Sequence, residues 1–212
     1  MRVIVTRPEG QADELADRLR ALGHEVVLCP LVRIEPIGDK PIDVSVYDWV
    51  VVTSANGAHE LARRRSGDPR RLAAIGPATA AALAADGLQP DLVPAVSTQE
   101  GLLAELPRPA GRVLVAAAES ARRLLVDELE ADFVPLYRTV ELRPDEPPAG
   151  DVVILASGSA ARAFGALGLD VPAVSIGPQT TAAAQAAGVR VVAEAKTHDA
   201  HGLVNAVVSL SS

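Results

Sequence analysis

The sequence predicts an α/β fold of two similar lobes, each built on a doubly wound parallel sheet. Three observations predict it. Short apolar, β-branched runs alternate along the chain with Ala- and Leu-rich stretches of helical spacing, the pattern of strands joined by right-handed crossover helices. Gly76-Pro77-Ala78-Thr79 and Gly177-Pro178-Gln179-Thr180 each follow an apolar run and open an Ala-rich stretch that closes on Gly87 or Gly188. The motifs around these two units recur in the same order, so the chain reads as blocks A, B, A′ and B′.

Block A begins with Arg2–Val5, a strand ended by Thr6-Arg7-Pro8-Glu9-Gly10. Leu15, Leu19 and Leu22 then recur at helical spacing up to Gly23, and 25–29 is a second strand stopped by Pro30. Block B opens on Trp49–Val52, a continuous apolar run expected of a strand covered on both faces. Thr53-Ser54-Ala55-Asn56-Gly57 turns it into a helix around 59–64, whose end, Arg63-Arg64-Arg65, reads as a solvated terminus. The strand 72–75, the first Gly-Pro unit, a helix over 78–85 and a short strand near Leu92-Val93 follow. Ser97-Thr98-Gln99-Glu100 fits a capping box ahead of Leu102, Leu103 and Leu106.

Arg112-Val113-Leu114-Val115 opens A′, with a helix through Leu124, Leu125 and Leu129. Phe133-Val134-Pro135-Leu136-Tyr137-Arg138 mirrors Leu28-Cys29-Pro30-Leu31-Val32-Arg33. In B′, 151–155 and Ser157-Gly158-Ser159 mirror the Trp49 strand and its Ser54 turn, and Gly202-Leu203 falls where Gly101-Leu102 does. Pro-rich segments, 35–43 and 143–150, follow each A-type block and precede each B-type block. As boundaries they predict a central lobe over 43–137 and a discontinuous outer lobe, 1–34 plus 146–212. Residues 35–42 and 138–145 then link the two.

Composition removes several function classes. Hydrophobic residues make up 49% of the chain but aromatics only 2%, so Ala, Val and Leu fill the cores and base-stacking surfaces are scarce. A net charge of −7 argues further against nucleic-acid binding, which depends on basic contacts to phosphate. Cys29 is the single cysteine, a core filler, so neither a disulfide within the chain nor a cysteine metal cluster is expected. The N-terminus runs straight into a strand pattern, and no apolar run has the length of a membrane span. The expectation is a cytoplasmic protein with no membrane partner.

Ligands of open α/β sheets bind beyond the carboxyl ends of the strands, near helix N-termini. Those positions hold Thr6-Arg7, Thr53-Ser54, 76–79, Ser157-Gly158-Ser159 and 177–181. Helix starts attract anions through unpaired N–H groups and the helix dipole. Each Ser or Thr alone is explained as an N-cap; their repetition at equivalent positions points to a ligand site. Standard catalytic motifs do not fit: Ala156-Ser157-Gly158 lacks the first glycine of a nucleophile elbow, and no dinucleotide or P-loop glycine pattern occurs. His198 and His201 have a weak ligand spacing and read as a solvated helix start, so no metal is expected. A response-regulator reading fails for want of an acidic pair and acceptor aspartate at the first strand ends. Tyr137 has two readings: a residue facing the gap between lobes, or a half-buried interface tyrosine whose hydroxyl is a polar handle.

Together, Ile4-Val-Thr-Arg-Pro, Pro30-Leu31, Thr53-Ser54-Ala55-Asn56, Ile75-Gly-Pro-Ala-Thr-Ala, Leu136-Tyr-Arg-Thr and Ile176-Gly-Pro-Gln-Thr resemble the uroporphyrinogen-III synthase family, in order over nearly the whole chain. The resemblance implies two flavodoxin-like lobes joined by two antiparallel β linkers. It implies an enzyme without cofactor or metal that cyclises hydroxymethylbilane, a linear tetrapyrrole with eight carboxylates, to uroporphyrinogen III with loss of water and inversion of ring D. It makes Tyr137 the residue that assists loss of the hydroxyl, as a positioned hydrogen-bond donor. Ser54, Thr79, Ser157, Ser159 and Thr180 become substrate-binding positions, with Arg7 and Arg138 supplying positive charge, and a monomer is expected. Two departures stand out. Ala116-Ala117-Ala118-Glu119-Ser120 replaces the Arg-Gly-rich sequence of many bacterial relatives, although Arg122 remains, and Gln179 stands where many have Thr. They leave a second expectation, a tetrapyrrole-binding or regulatory homologue without catalysis.

Overall fold

The computed structural model describes residues 1–210. In chain order these form β1 (Arg2–Val5), α1 (Asp13–Ala21), β2 (Glu25–Leu28), β3 (Val32–Pro36), β4 (Ile42–Asp43), β5 (Trp49–Val52), α2 (Ala55–Arg64) and β6 (Arg65–Ser66). There follow β7 (Leu72–Ala74), α3 (Pro77–Ala85), α4 (Gln99–Glu105), β8 (Val113–Ala118), α5 (Leu124–Leu129) and β9 (Asp132–Glu141). The last are β10 (Val152–Leu155), α6 (Gly158–Gly165), β11 (Ala173–Ser175), α7 (Pro178–Ala186), β12 (Val191–Glu194) and α8 (Ala200–Val208). The architecture is α/β, and the chain packs as two compact units, Met1–Arg33 with Thr139–Ser212 and Ile34–Arg138.

In the first unit the strand order is β12-β11-β10-β1-β2, all neighbours parallel. Alternate residues of the central strands serve opposite faces. Val3, Val5, Val152 and Ile154 pack with Leu15 and Leu19 of α1 and Leu203 and Val207 of α8. Ile4, Val153 and Leu155 pack with Ala161 and Phe164 of α6 and Ala184 of α7. Both faces are covered, which is why Val152–Leu155 is buried at all four positions and reads as an unbroken apolar run.

The second unit repeats the plan. Its sheet has the order β3-β9-β8-β5-β7, with β5, β7, β8 and β9 parallel to their neighbours among themselves. Val50 and Val52 face Ala58 and Leu61 of α2 and Leu83 of α3, while Trp49 and Val51 face Leu102 of α4 and Leu125 of α5. Cys29 is a buried core residue, as expected.

Three local expectations need correction. The segment near Leu92-Val93 makes only an isolated bridge, Ala73 to Leu92, because Pro90 and Pro94 flank it and remove ladder donors. The capping box does not form: the N-cap of α4 is Thr98, one residue later than expected, and its hydroxyl accepts the N–H of Gly101 at 3.0 Å, while Glu100 turns to Arg122. Nor is the Arg63–Arg65 end of α2 simply solvated. Arg64 is buried and donates to the carbonyls of Lys40 (3.1 Å) and Ile37 (2.6 Å), and Arg63 donates to Gly38 O and Asp39. The irregular 37–40 segment offers carbonyls that need donors, and two arginines supply them.

Candidate functional site

Sequence and packing place four helix starts at the carboxyl ends of parallel strands, two in each unit. Ser54 and Ser157 cap α2 and α6 with nearly the same backbone, φ/ψ of −166/157 and −161/157. Their hydroxyls accept the N–H of Gly57 at 3.0 Å and of Ala160 at 3.1 Å. The other two starts are the Gly-Pro units, with Pro77 and Pro178 in the first turns of α3 and α7. Proline tolerates that place because its missing N–H would have no helical partner. A Cβ on Gly76 would lie 2.6 Å from Ser97 Oγ and 2.9 Å from its Cβ, a close approach that favours glycine, whereas one on Gly177 would meet only the exposed His198 ring, 2.8 Å away at Nε2.

Thr79 and Thr180, in the first turns of α3 and α7, are only 4% and 5% exposed. What these two starts present outward is Pro77-Ala78 and Pro178-Gln179. Ser159 accepts a hydrogen bond from Arg162 at 3.2 Å. Arg7 is partly buried, and that burial lowers its pKa against the opposing effect of Glu14. Arg138 is exposed and donates to Glu35 at 3.0 Å.

Tyr137 lies in the core of the second unit, 6% exposed, against the Val50–Leu114 cluster. Its hydroxyl and that of Ser54 share a hydrogen bond of 2.9 Å in which either can donate. Burial raises the phenol pKa, and the Ser54 bond works in the other direction. At neutral pH the group therefore keeps its proton and acts as donor or acceptor, not as a base. The partly exposed Ser54 is the outer member of the pair. Behind it, the Glu119 N–H donates to Tyr137 O at 2.8 Å. Ala116 and Ala117 are fully buried in β8, so a cation in their place would be carried into the core. Arg122 is held by Glu100 through two bonds, 2.8 and 3.1 Å.

One cluster escaped the sequence reading. Ser175 Oγ lies 2.6 Å from Thr181 Oγ1, and Thr181 donates to Glu194. A signal for it existed in the repeat: the positions 101 residues earlier are Ala74, Ala80 and Val93. In the mirrored A blocks, where the offset is 105, Val32 stands in the place of Tyr137. The two copies share a frame and differ in chemistry.

An α/β protein of two parallel-sheet units, with capped helix starts at the strand ends, is of a class suited to holding anions through backbone N–H groups. The profile of the family described as uroporphyrinogen-III synthase HemD matches residues 13–205, and the chain belongs to that family. A uroporphyrinogen-III synthase of Synechococcus elongatus is 28% identical over 246 aligned positions, covering 97% of this chain and 93% of its own length. A Methanocaldococcus jannaschii relative is 30% identical over 151 residues, 66% of this chain; the match spans 63% of that relative's length. Among solved structures, a mutant uroporphyrinogen III synthase of Thermus thermophilus superposes with a TM-score of 0.64 at 17% identity, covering 100% of this chain and 97% of its own, a likeness of fold. Among the described residues no helix is long and apolar enough to cross a membrane.

Proposed function

We propose that this chain cyclises hydroxymethylbilane to uroporphyrinogen III, with loss of water and inversion of ring D. The observation that carries the reading is the family match over residues 13–205. Each unit offers groups suited to carboxylates, the N–H groups at the starts of α2 and α3 with Arg138 in the second and those at the starts of α6 and α7 with Arg7 in the first; such contacts hold a flexible substrate in a reactive shape. Ser54 meets the departing hydroxyl and Tyr137 stands behind it. The C–O bond breaks as the pyrrole nitrogen pushes electrons, the hydroxyl leaves as water with a proton taken from solvent, and a pyrrole carbon attacks the resulting azafulvenium to close the ring, after which a proton returns to solvent. The Tyr137–Ser54 pair supplies a hydrogen bond to the departing oxygen. In this reading the protein works as a cytoplasmic monomer without cofactor. Residues 1–34 plus 146–212 form its outer lobe, 43–137 its central lobe, and 35–42 with 138–145 the linkers.

The test is the isomer assay. Purified protein given freshly made hydroxymethylbilane is expected to yield the type III product, and type I alone would sink the proposal. The burial of Tyr137 and the held Arg122 favour one second reading, a homologue that binds tetrapyrroles without turning them over. Saturable binding of the substrate with only type I product would select it.

A further inference from the structure

We propose that the first unit carries a second small-molecule site, for a zwitterion bearing one ammonium and one carboxylate. The site is a cavity of about 460 Å³ between the end of β12 and α8, lined by Glu194, Lys196, Thr197, His201, Asn205 and Ser209, among others. That volume is within the usual range for small-molecule pockets. Those pockets are mostly apolar; this one is lined with groups of both charge signs.

The arrangement is built rather than incidental. Thr181 has one hydroxyl proton and donates it to Glu194, so the hydrogen bond between Ser175 and Thr181 must be donated by Ser175. Ser175 is fully buried. A chain of hydroxyls thus runs from the interior of the sheet and fixes one oxygen of the Glu194 carboxylate, leaving the other to accept. Lys196 and the side-chain amide of Asn205 hold no hydrogen bond or ion pair among the described residues. An anion alone would meet Glu194 and a cation alone would meet Lys196. A zwitterion satisfies both, with Asn205 and Thr197 as further partners.

The internal repeat provides a control. Gly101 and Gly202 occupy the same place in α4 and α8, each donating its N–H to the N-cap side chain, Thr98 or Asp199. On this shared frame the residues 101 positions before Glu194, Lys196, Thr197 and Asn205 are Val93, Ala95, Val96 and Ala104. Ala74 and Ala80 precede Ser175 and Thr181 by the same interval. The other copy carries its own charges on this frame, Glu100, Glu105 and Arg108, but no counterpart of the Ser175–Thr181–Glu194 chain, so the fold does not require that chain.

The experiment is a backbone amide NMR titration of the full chain with glycine, 4-aminobutyrate and 6-aminohexanoate, with acetate and methylammonium as single-charge controls. At least one amino acid is expected to shift Thr197, His201, Gly202 and Asn205 saturably, and Glu194→Gln and Lys196→Met each to weaken it roughly tenfold, about 1.4 kcal/mol. No saturation, equal binding of a single-charge control, or unchanged affinity in both variants would overturn the site.

Discussion

Burial keeps the Tyr137 phenol protonated, and its hydroxyl shares a hydrogen bond with that of Ser54. Tyr137→Phe removes one side of that bond while Ser54 still caps α2. Stability is expected to fall by about 1 kcal/mol in a urea melt, while type III synthesis drops by a larger factor in kcat than in KM. Ser54→Ala removes the cap as well and costs about 1–2 kcal/mol, with at least the same loss of turnover. Equal rates in all three proteins would take the pair out of the reaction. Glu100 titrates differently: hydrogen bonds from Arg122 are the main cause of its pKa falling from 4.5 to about 2. Its contribution is therefore complete above about pH 4.5 and is lost as pH falls toward 2. Glu100→Gln should lower the urea midpoint at pH 6, with the gap to the parent closing between pH 4.5 and 2.5; a gap constant over that range would contradict the pairing.

Helices and strands carry their own sequence signals, which is why most elements were legible. Trp49–Val52 and Val152–Leu155 are unbroken apolar runs because both faces of each are covered. Ser54 and Ser157 were legible as caps because capping is settled within three residues. The shifted cap at Thr98 was not, since the geometry turns on Glu100 reaching Arg122, 22 residues away. Arg64 escaped for the same reason: its carbonyl partners at 37 and 40 lie far along the chain. Element packing also makes a sharp prediction about glycine. A Cβ on Gly101 or Gly202 would lie 2.1 Å from the carbonyl of Val96 or Thr197, whereas on Gly158 the nearest atom is 3.4 Å away. Gly101→Ala and Gly202→Ala are each expected to cost about 1–3 kcal/mol, and Gly158→Ala to change stability by less than about 1 kcal/mol, as read by thermal melts.

At the scale of the molecule, the second unit is one continuous stretch, Ile34–Arg138, while the first needs both ends of the chain. Expressed alone, 34–138 is expected to unfold cooperatively with the far-UV signal of an α/β domain. Residues 1–33 alone are too few to bury a core and are expected to be unfolded. A non-cooperative 34–138 fragment would contradict the unit as drawn. The sequence by itself determined the α/β class, the repeat and the family, because periodicity and local motifs are written within a few residues of each other. Only the tertiary structure decided that β1 lies between β2 and β10, that Thr6 donates to Ile154 across 148 residues, and that the Tyr137 hydroxyl meets that of Ser54, 83 residues away. Those outcomes depend on which apolar faces cover one another, and burial is a property of the assembled sheet rather than of any segment.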